Sequence, residues 1–331
     1  MRDEQARGGT LVVQPLPGIG DMVWHLPLIH GIAAASPDGQ VSILTKPRSR
    51  ADELFAENPA VRQVLWVERK PGRHDGLLGF WRLTQLLKQG NFAHVWILHG
   101  SSRYAWAAYL AGIPLRTGYG RGMQRYLLND PVQLPQELQR EHPILRAQRL
   151  LELKRLPMID PEPNLAIGHS ALASVNARFE HYPKPWIAFG IGSSEAYKQW
   201  GTDNFAQLAE SLGTSRQASI FLLGGKAEEA MAEAIAARLA DKPIRLVPAL
   251  SLPLDQAAAL LSCCQLCVAN DTGVLNLAAA AGIHSLGLFG GSPALTHSRR
   301  IHAIVPKDLK LKMQGISVDA VAAFSRTLGT A

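Results

Sequence analysis

Three short stretches carry residues whose types and spacing could do chemistry. In "GIGDMVWHL" (18–26) one carboxylate, Asp21, stands among apolar and aromatic neighbours just after the apolar run "TLVVQPL". An acid at a helix start caps free amides and sits well in the helix dipole, so Asp21 needs no activity to be there. Burial beside Met22 and Trp24 would also raise its proton affinity and make it a candidate base. In "NDTGVLNLAAAAG" (270–282), Asn270, Asp271 and Thr272 are helix-start residues, Gly273 admits a close ligand, and an Ala-rich helix follows. The exposed amides of such a helix suit a phosphate. In "GSSEAYKQW" (192–200), Ser193 and Ser194 supply hydroxyls and Lys198 a mobile positive charge. Each stretch alone is no more than a capped helix or a solvated lysine. Two donor-rich loops and a lysine together could clamp a pyrophosphate and stabilise a departing nucleoside diphosphate without a metal.

Familiar motifs fail here. "PGIGDMV" has Gly18 and Gly20 but Val23 at the third glycine position of the dinucleotide fingerprint, and "LLGGKAEE" has Ala227 where a P-loop needs Ser or Thr. No Asp-x-Asp pair stands near these loops to hold a divalent ion. Cys263, Cys264 and Cys267 crowd into "LLSCCQLCVAND" with no second ligand pair nearby, so they read as small apolar residues where a helix end runs into a buried strand.

The elements that must position these residues follow from the pattern of apolar runs. Strands are expected at 10–16, 40–46, 63–68 and 93–99, with helices at 22–35, 50–57, 77–89 and 102–111 between them. Eight prolines fall between 131 and 185, around one helix at about 142–155, and mark a junction. Strands resume at 185–192, 218–225, 244–250, 266–271 and 284–290, alternating with helices at 202–213, 226–240, 253–262 and 273–281; an amphipathic helix at 317–328 closes the chain. At 331 residues the chain fits two α/β halves, each a doubly wound parallel sheet. The expected division is 1–160, a linker at 161–184, a second domain at 185–314 and a terminal segment at 315–331. Asp21 and the two polar loops each follow a strand, where ligands sit in this architecture.

The net charge of +7 is unevenly spread: residues 1–160 carry 20 Lys and Arg against 14 Asp and Glu, while residues 161–331 carry 14 against 13. An excess confined to one half suits an anionic partner. No apolar run approaches the roughly 20 residues that span a bilayer, and the charged start "MRDEQARGG" is unlike a secretory signal, so a cytoplasmic protein is expected.

Taken jointly, "GIGDMVWHLPL", "RTGYGRGMQRYLL", "PWIAFGIGSS", "SSEAYKQW" and "NDTGVLNLAAAAGIHSLGLFG" resemble glycosyltransferase family 9, the ADP-heptose:lipopolysaccharide heptosyltransferases, over nearly the whole chain. The resemblance implies a GT-B fold of two Rossmann-like domains facing a cleft: an N-terminal acceptor domain, a C-terminal nucleotide-sugar domain, and a last helix crossing back to the first domain. It implies inverting, metal-independent transfer of heptose from ADP-L-glycero-D-manno-heptose to the lipopolysaccharide inner core, with no cofactor beyond the donor. Asp21 then matches the catalytic aspartate and Lys198 the lysine that contacts phosphate and sugar. Ser193 and Ser194 match phosphate-binding positions and Asp271, Thr272 and Gly273 the donor-binding triplet, with Asn276 where many members carry histidine. Glu228, or its neighbour Glu229, falls near the ribose acid, and Leu250 within the adenine-lining segment 248–252.

Gly20, Arg103, Arg116, Arg121 and Arg125 are the acceptor candidates, since the inner core is rich in carboxylates and phosphates; the same arginines suit an anionic inner-membrane face. "RTGYGRGMQRY" interleaves arginines with Tyr119 and Tyr126 in the manner of a nucleic-acid patch, a partner that a nucleotide-sugar site argues against. The rival readings are a GT-B transferase or epimerase using another nucleotide sugar, a noncatalytic nucleotide-sugar-binding relative, and a two-domain solute receptor, which the start of the chain disfavours.

Overall fold

The computed structural model describes residues 8–156, 158, 160–193, 195–295 and 298–328; Ser194 of the expected phosphate loop lies outside them. The chain forms two compact units, Met1–Pro161 and Glu162–Ala331.

In the first unit the strands are β1 (Thr10–Val13), β2 (Val41–Thr45), β3 (Val61–Trp66), β4 (His94–Ile97), β5 (Leu115–Gly118) and β6 (Asp130–Pro131), all parallel in the order β3-β2-β1-β4-β5-β6. β1 and β2 are buried throughout, as strands covered on both faces must be, which is why they read as unbroken apolar runs rather than alternating ones. The helices are α1 (Ile19–Trp24), α2 (Leu26–Ala34), α3 (Ala51–Leu54), α4 (Gly76–Gln89), α5 (Ser102–Leu110) and α6 (Pro143–Leu153). Leu83 and Leu87 of α4 and Tyr104, Ala107 and Ala108 of α5 pack with β1 and β4 into one core. β1 lies between β2 and β4, so the strand order reverses beside it, and the crevice at its carboxyl end is the ordinary ligand position of such a sheet. Asp21 stands in the helix that follows.

The second unit repeats the plan with β7 (Trp186–Gly190), β8 (Ser219–Gly224), β9 (Arg245–Leu250), β10 (Leu266–Asn270), β11 (Ser285–Leu288) and β12 (Ile301–Ile304), parallel in the order β12-β11-β10-β7-β8-β9. Its helices are α7 (His169–Phe179), α8 (Thr202–Arg216), α9 (Glu229–Arg238), α10 (Leu254–Ser262), α11 (Gly273–Ala280) and α12 (Val318–Leu328). Here the order reverses between β7 and β10, the strands whose exits carry Lys198 and Asp271.

Two expectations about organisation need correction. The segment 161–184 is not a linker. α7 packs on α10 and buries Ala171, Val175 and Phe179, the last against Phe221 of β8; Leu165 N–H donates to the Ala280 carbonyl at 2.9 Å, and the Glu162 carboxylate accepts from Ser298 Oγ and the Arg299 amide, each at 2.7 Å. The prolines hid a short Ala- and Ser-rich helix that belongs to the second unit. The terminal helix α12 packs on α8, with Val321 and Ala322 in the core of the second unit, and Arg216 Nη2 reaches the Ser325 carbonyl at 2.7 Å. Three strands escaped the sequence reading because β5 and β6 are short and polar and β12 is a half-exposed edge. Cys264 and Cys267 are buried among apolar neighbours, and burial pushes the Cys267 thiol up to about 12, in keeping with a packing role. Among the described residues no helix is long and apolar enough to cross a membrane.

Candidate functional site

In the second unit, polar groups converge at the carboxyl ends of β7, β8, β10 and β11. Asn270 ends β10 fully buried, and its amide fixes the neighbouring loop: Nδ2 donates to the carbonyls of Ile191 (2.8 Å) and Gly192 (3.2 Å), while Oδ1 accepts from Trp200 N–H (3.1 Å). The β7 exit loop is thereby pinned at both ends, with Lys198 between the pins. Lys198 Nζ donates to Asp271 Oδ2 at 2.8 Å, and Ser292 Oγ, from the β11 exit, donates to the same oxygen at 2.6 Å. Burial acts against the Lys198 charge, yet the hydrogen bond and field of Asp271 hold the ammonium above its usual range.

Thr272 caps α11, its Oγ1 accepting from Val274 N–H at 3.2 Å, and Gly273 opens the helix. Asn276, one turn on, donates from Nδ2 to the Thr272 carbonyl at 3.2 Å and keeps a buried Oδ1 without a partner among the described residues. Ser193 Oγ accepts from the Glu195 amide at 3.3 Å, a loop bond that leaves its own proton available. At the β8 exit, Glu228 Oε2 accepts from Gly225 N–H at 2.7 Å. The Glu228 carboxyl also lies so close to Gly192 that a Cβ there would meet its Cδ at 2.5 Å, so any side chain at 192 would displace that carboxyl. Leu250 ends β9 half-buried against the core. Lys198, Ser193, Asp271, Thr272, Gly273, Asn276 and Glu228 therefore gather at one sheet edge. Asn270 and Ser292 were missed as its braces, although "GGS" after the 284–290 strand offered a signal.

In the first unit, Asp21 is half-buried at the switch point of the sheet. Its Oδ2 accepts from Gly18 N–H at 3.1 Å, so the cap is real; Oδ1 accepts from no described residue. Burial raises its pKa, and the Gly18 amide and His142 oppose that rise without cancelling it. Beneath it His25, fully buried, donates from Nδ1 to the Asp21 carbonyl at 2.6 Å, and burial holds its pKa down to about 4. Gly20 lies in the same turn.

The strand exits around Asp21 are basic. Burial and then the fields of Arg146, Lys46 and Arg69 depress His99, after β4, to about 4. Tyr119, Arg121, Arg125, Gln139 and Arg146 line a cavity of about 320 Å³ beyond β5. Two of its buried polar atoms, Tyr119 Oη and Arg146 Nε, have no partner among the described residues. Arg121 and Arg125, both acceptor candidates, line this cavity with Arg146, while Arg146, Lys46 and Arg69 surround His99; the scatter of these last three along the chain hid them. Arg103 is largely committed: Nη2 donates to the carbonyls of His74 (2.7 Å) and Gly76 (3.2 Å). Arg116 does not belong to the site. It lies near the amino end of β5, the opposite edge of the sheet. Its Nε donates to the Leu127 carbonyl at 2.7 Å, its Nη1 to those of Ile113 (2.5 Å) and Pro114 (3.3 Å), and its guanidinium stacks on Tyr109.

Comparison with known proteins bears on the fold and the family. The chain is 26% identical over 316 residues to lipopolysaccharide heptosyltransferase 2 of Salmonella typhimurium, covering 89% of this chain and 88% of the relative. Among solved structures it resembles a glycosyl transferase family 9 protein from Veillonella parvula (TM-score 0.79, 19% identity, 97% of each chain). It also resembles the E. coli ADP-heptose LPS heptosyltransferase II (TM-score 0.75, 23% identity, 97% of this chain and 98% of that one). The fold is of GT-B type. Residues 80–305 match the model of glycosyltransferase family 9 (heptosyltransferase), and the chain belongs to that family of glycosyltransferases.

Proposed function

We propose that the protein transfers a heptose from ADP-heptose to an anionic inner-core acceptor of lipopolysaccharide, with inversion and without a metal. The observation that carries this reading is the braced Lys198–Asp271 pair beside the amino end of α11, at the reversal of strand order in the second unit. The diphosphate of the donor would accept from the α11 amides, Thr272, Ser193 and Lys198, whose ammonium exchanges Asp271 for phosphate oxygens. Glu228 Oε1 would take a ribose hydroxyl, and Leu250 would border the base. The buried Asn276 Oδ1 lacks a donor among the described residues, and a hydroxyl of the bound sugar would fill that need.

In the first unit the cations around Asp21 would receive acceptor carboxylates or phosphates. Asp21 Oδ1 would remove the proton of the incoming hydroxyl as that oxygen bonds to the anomeric carbon and the bond to the ADP oxygen breaks on the opposite face. Lys198 and the amides would then neutralise the charge that grows on ADP. The test is transfer from ADP-heptose, set beside UDP- and GDP-sugars, to inner-core acceptors truncated at successive sugars. Product from ADP-heptose alone, on an acceptor lacking heptose or carrying one, supports the reading. Preference for another nucleotide would replace the donor assignment.

A further inference from the structure

A band of large apolar side chains lies uncovered on the first unit. On α4, Leu77 is 90% exposed, Leu78 61% and Trp81 58%; on α5, Trp106, Tyr109 and Leu110 are 39–53% exposed. They form one surface. α4 and α5 pack together, and the Arg103 bonds to His74 and Gly76 hold the first turn of α5 against the residues just before Leu77, with its guanidinium 5.0 Å over the Phe80 ring. Trp106 follows Arg103 by one turn and meets Tyr109 edge-on at 6.3 Å. Single exposed apolar residues are ordinary, but a contiguous group with two tryptophans and a tyrosine marks a surface that another phase or molecule covers.

The charge beside the band says what covers it. Residues 68–82 carry Arg69, Lys70, Arg73 and Arg82 against Glu68 and Asp75, and Asp75 is already paired with Arg69. Arg82 Nη1 reaches the Arg73 carbonyl at 3.4 Å, and the fields of Arg73, Arg103 and Arg82 all act on buried His74, so these cations flank the apolar group. Leucine and tryptophan with a fringe of arginine match the layered chemistry of a bilayer surface: acyl boundary, headgroup and anionic phosphate. Position agrees as well. α4 and α5 follow β3 and β4, so their amino ends lie at the carboxyl edge of the sheet, the edge that holds Asp21.

We infer that this face docks the protein on an anionic lipid bilayer, with Leu77, Leu78 and Trp81 entering the interface and Arg73 and Arg82 on lipid phosphates. This deepens the functional reading, because an acceptor anchored in that bilayer meets the edge carrying Asp21, yet lipid binding is measured without donor or acceptor.

The experiment is sedimentation of the full chain with vesicles of phosphatidylcholine, with and without phosphatidylglycerol, beside transfer to a delipidated soluble acceptor. The chain should pellet with the anionic vesicles. Leu77→Ser/Leu78→Ser/Trp81→Ser should weaken partition at least tenfold, and Arg73→Gln/Arg82→Gln about fivefold per arginine at low salt, both with soluble transfer unchanged. Failure of the wild-type chain to bind anionic vesicles, or undiminished binding by the triple variant, overturns the inference. So does a wild-type dimer that the triple variant makes monomeric, which would assign the face to a second copy. If vesicle binding follows the expected pattern while the wild type transfers nothing, the docking surface stands and the functional reading falls.

Discussion

Lys198 Nζ and Asp271 Oδ2 stand 2.8 Å apart across 73 residues of sequence, and Ser292 Oγ shares the same oxygen. Both partners keep only about a fifth of their side-chain surface in solvent, and the cost of desolvating them offsets much of their attraction, so the pair adds little net stability. In the proposed reaction it holds a cation ready beside α11. Lys198→Ala should raise the Kd for ADP about tenfold by calorimetry, the worth of a charge-assisted bond, and lower Tm by no more than about 4 °C. An unchanged Kd would remove Lys198 from the diphosphate site.

Asn270 should behave in the opposite way. Three hydrogen bonds converge on a fully buried amide, and Asn270→Leu would strand the Ile191 and Gly192 carbonyls and the Trp200 amide. The expected cost is about 3 kcal/mol or more, seen in a denaturant melt, with ADP binding lost because the loop carrying Lys198 is released. A variant with full stability would show that the loop does not depend on this latch.

His25 makes the first unit acid-sensitive. Its folded pKa of about 4 lies below the unfolded value of about 6.5, so the unfolded chain binds the extra proton first. The stability it contributes is complete above the unfolded pKa and is lost as pH falls toward 4, at about 1.4 kcal/mol per pH unit. His25→Gln should flatten melting temperature against pH in that window; an unaltered slope would contradict the assignment.

The cavity beyond β5, proposed to take the acceptor, gives a sharper pair of variants. Tyr119→Phe deletes a buried hydroxyl that has no partner among the described residues, so the free protein should be no less stable while the KM for acceptor rises. Arg146→Ala should raise that KM about tenfold and leave ADP affinity alone. An effect of either on ADP binding, or none on the acceptor, would place the anion site elsewhere.

Much of this was legible because buried parallel strands advertise themselves. β1, β7 and β10 are unbroken apolar runs, and the residues just past them, Asp21, Ser193 and Asp271, could be read as strand-exit groups. What stayed hidden depends on folding distant segments together. Nothing local distinguishes Arg146 from Arg116, yet one faces the cavity and the other spends its guanidinium on three carbonyls and an aromatic ring. Asn270 reads as a helix cap in sequence, whereas Thr272 takes that duty and Asn270 braces a loop some 80 residues upstream. α7 was obscured by the prolines on either side.

The base assignment is tested most directly by Asp21→Asn, which keeps an oxygen to accept from Gly18 and so preserves the cap. The measurement is transfer from ADP-heptose across pH, with ADP affinity as the control. Turnover should fall by roughly 10²–10⁴ at unchanged ADP Kd. In the wild type, the acid limb of kcat/KM should lie above the ordinary carboxylate range, since burial raises the Asp21 pKa. An Asp21→Asn variant that kept more than about a tenth of the wild-type rate would contradict Asp21 as the base.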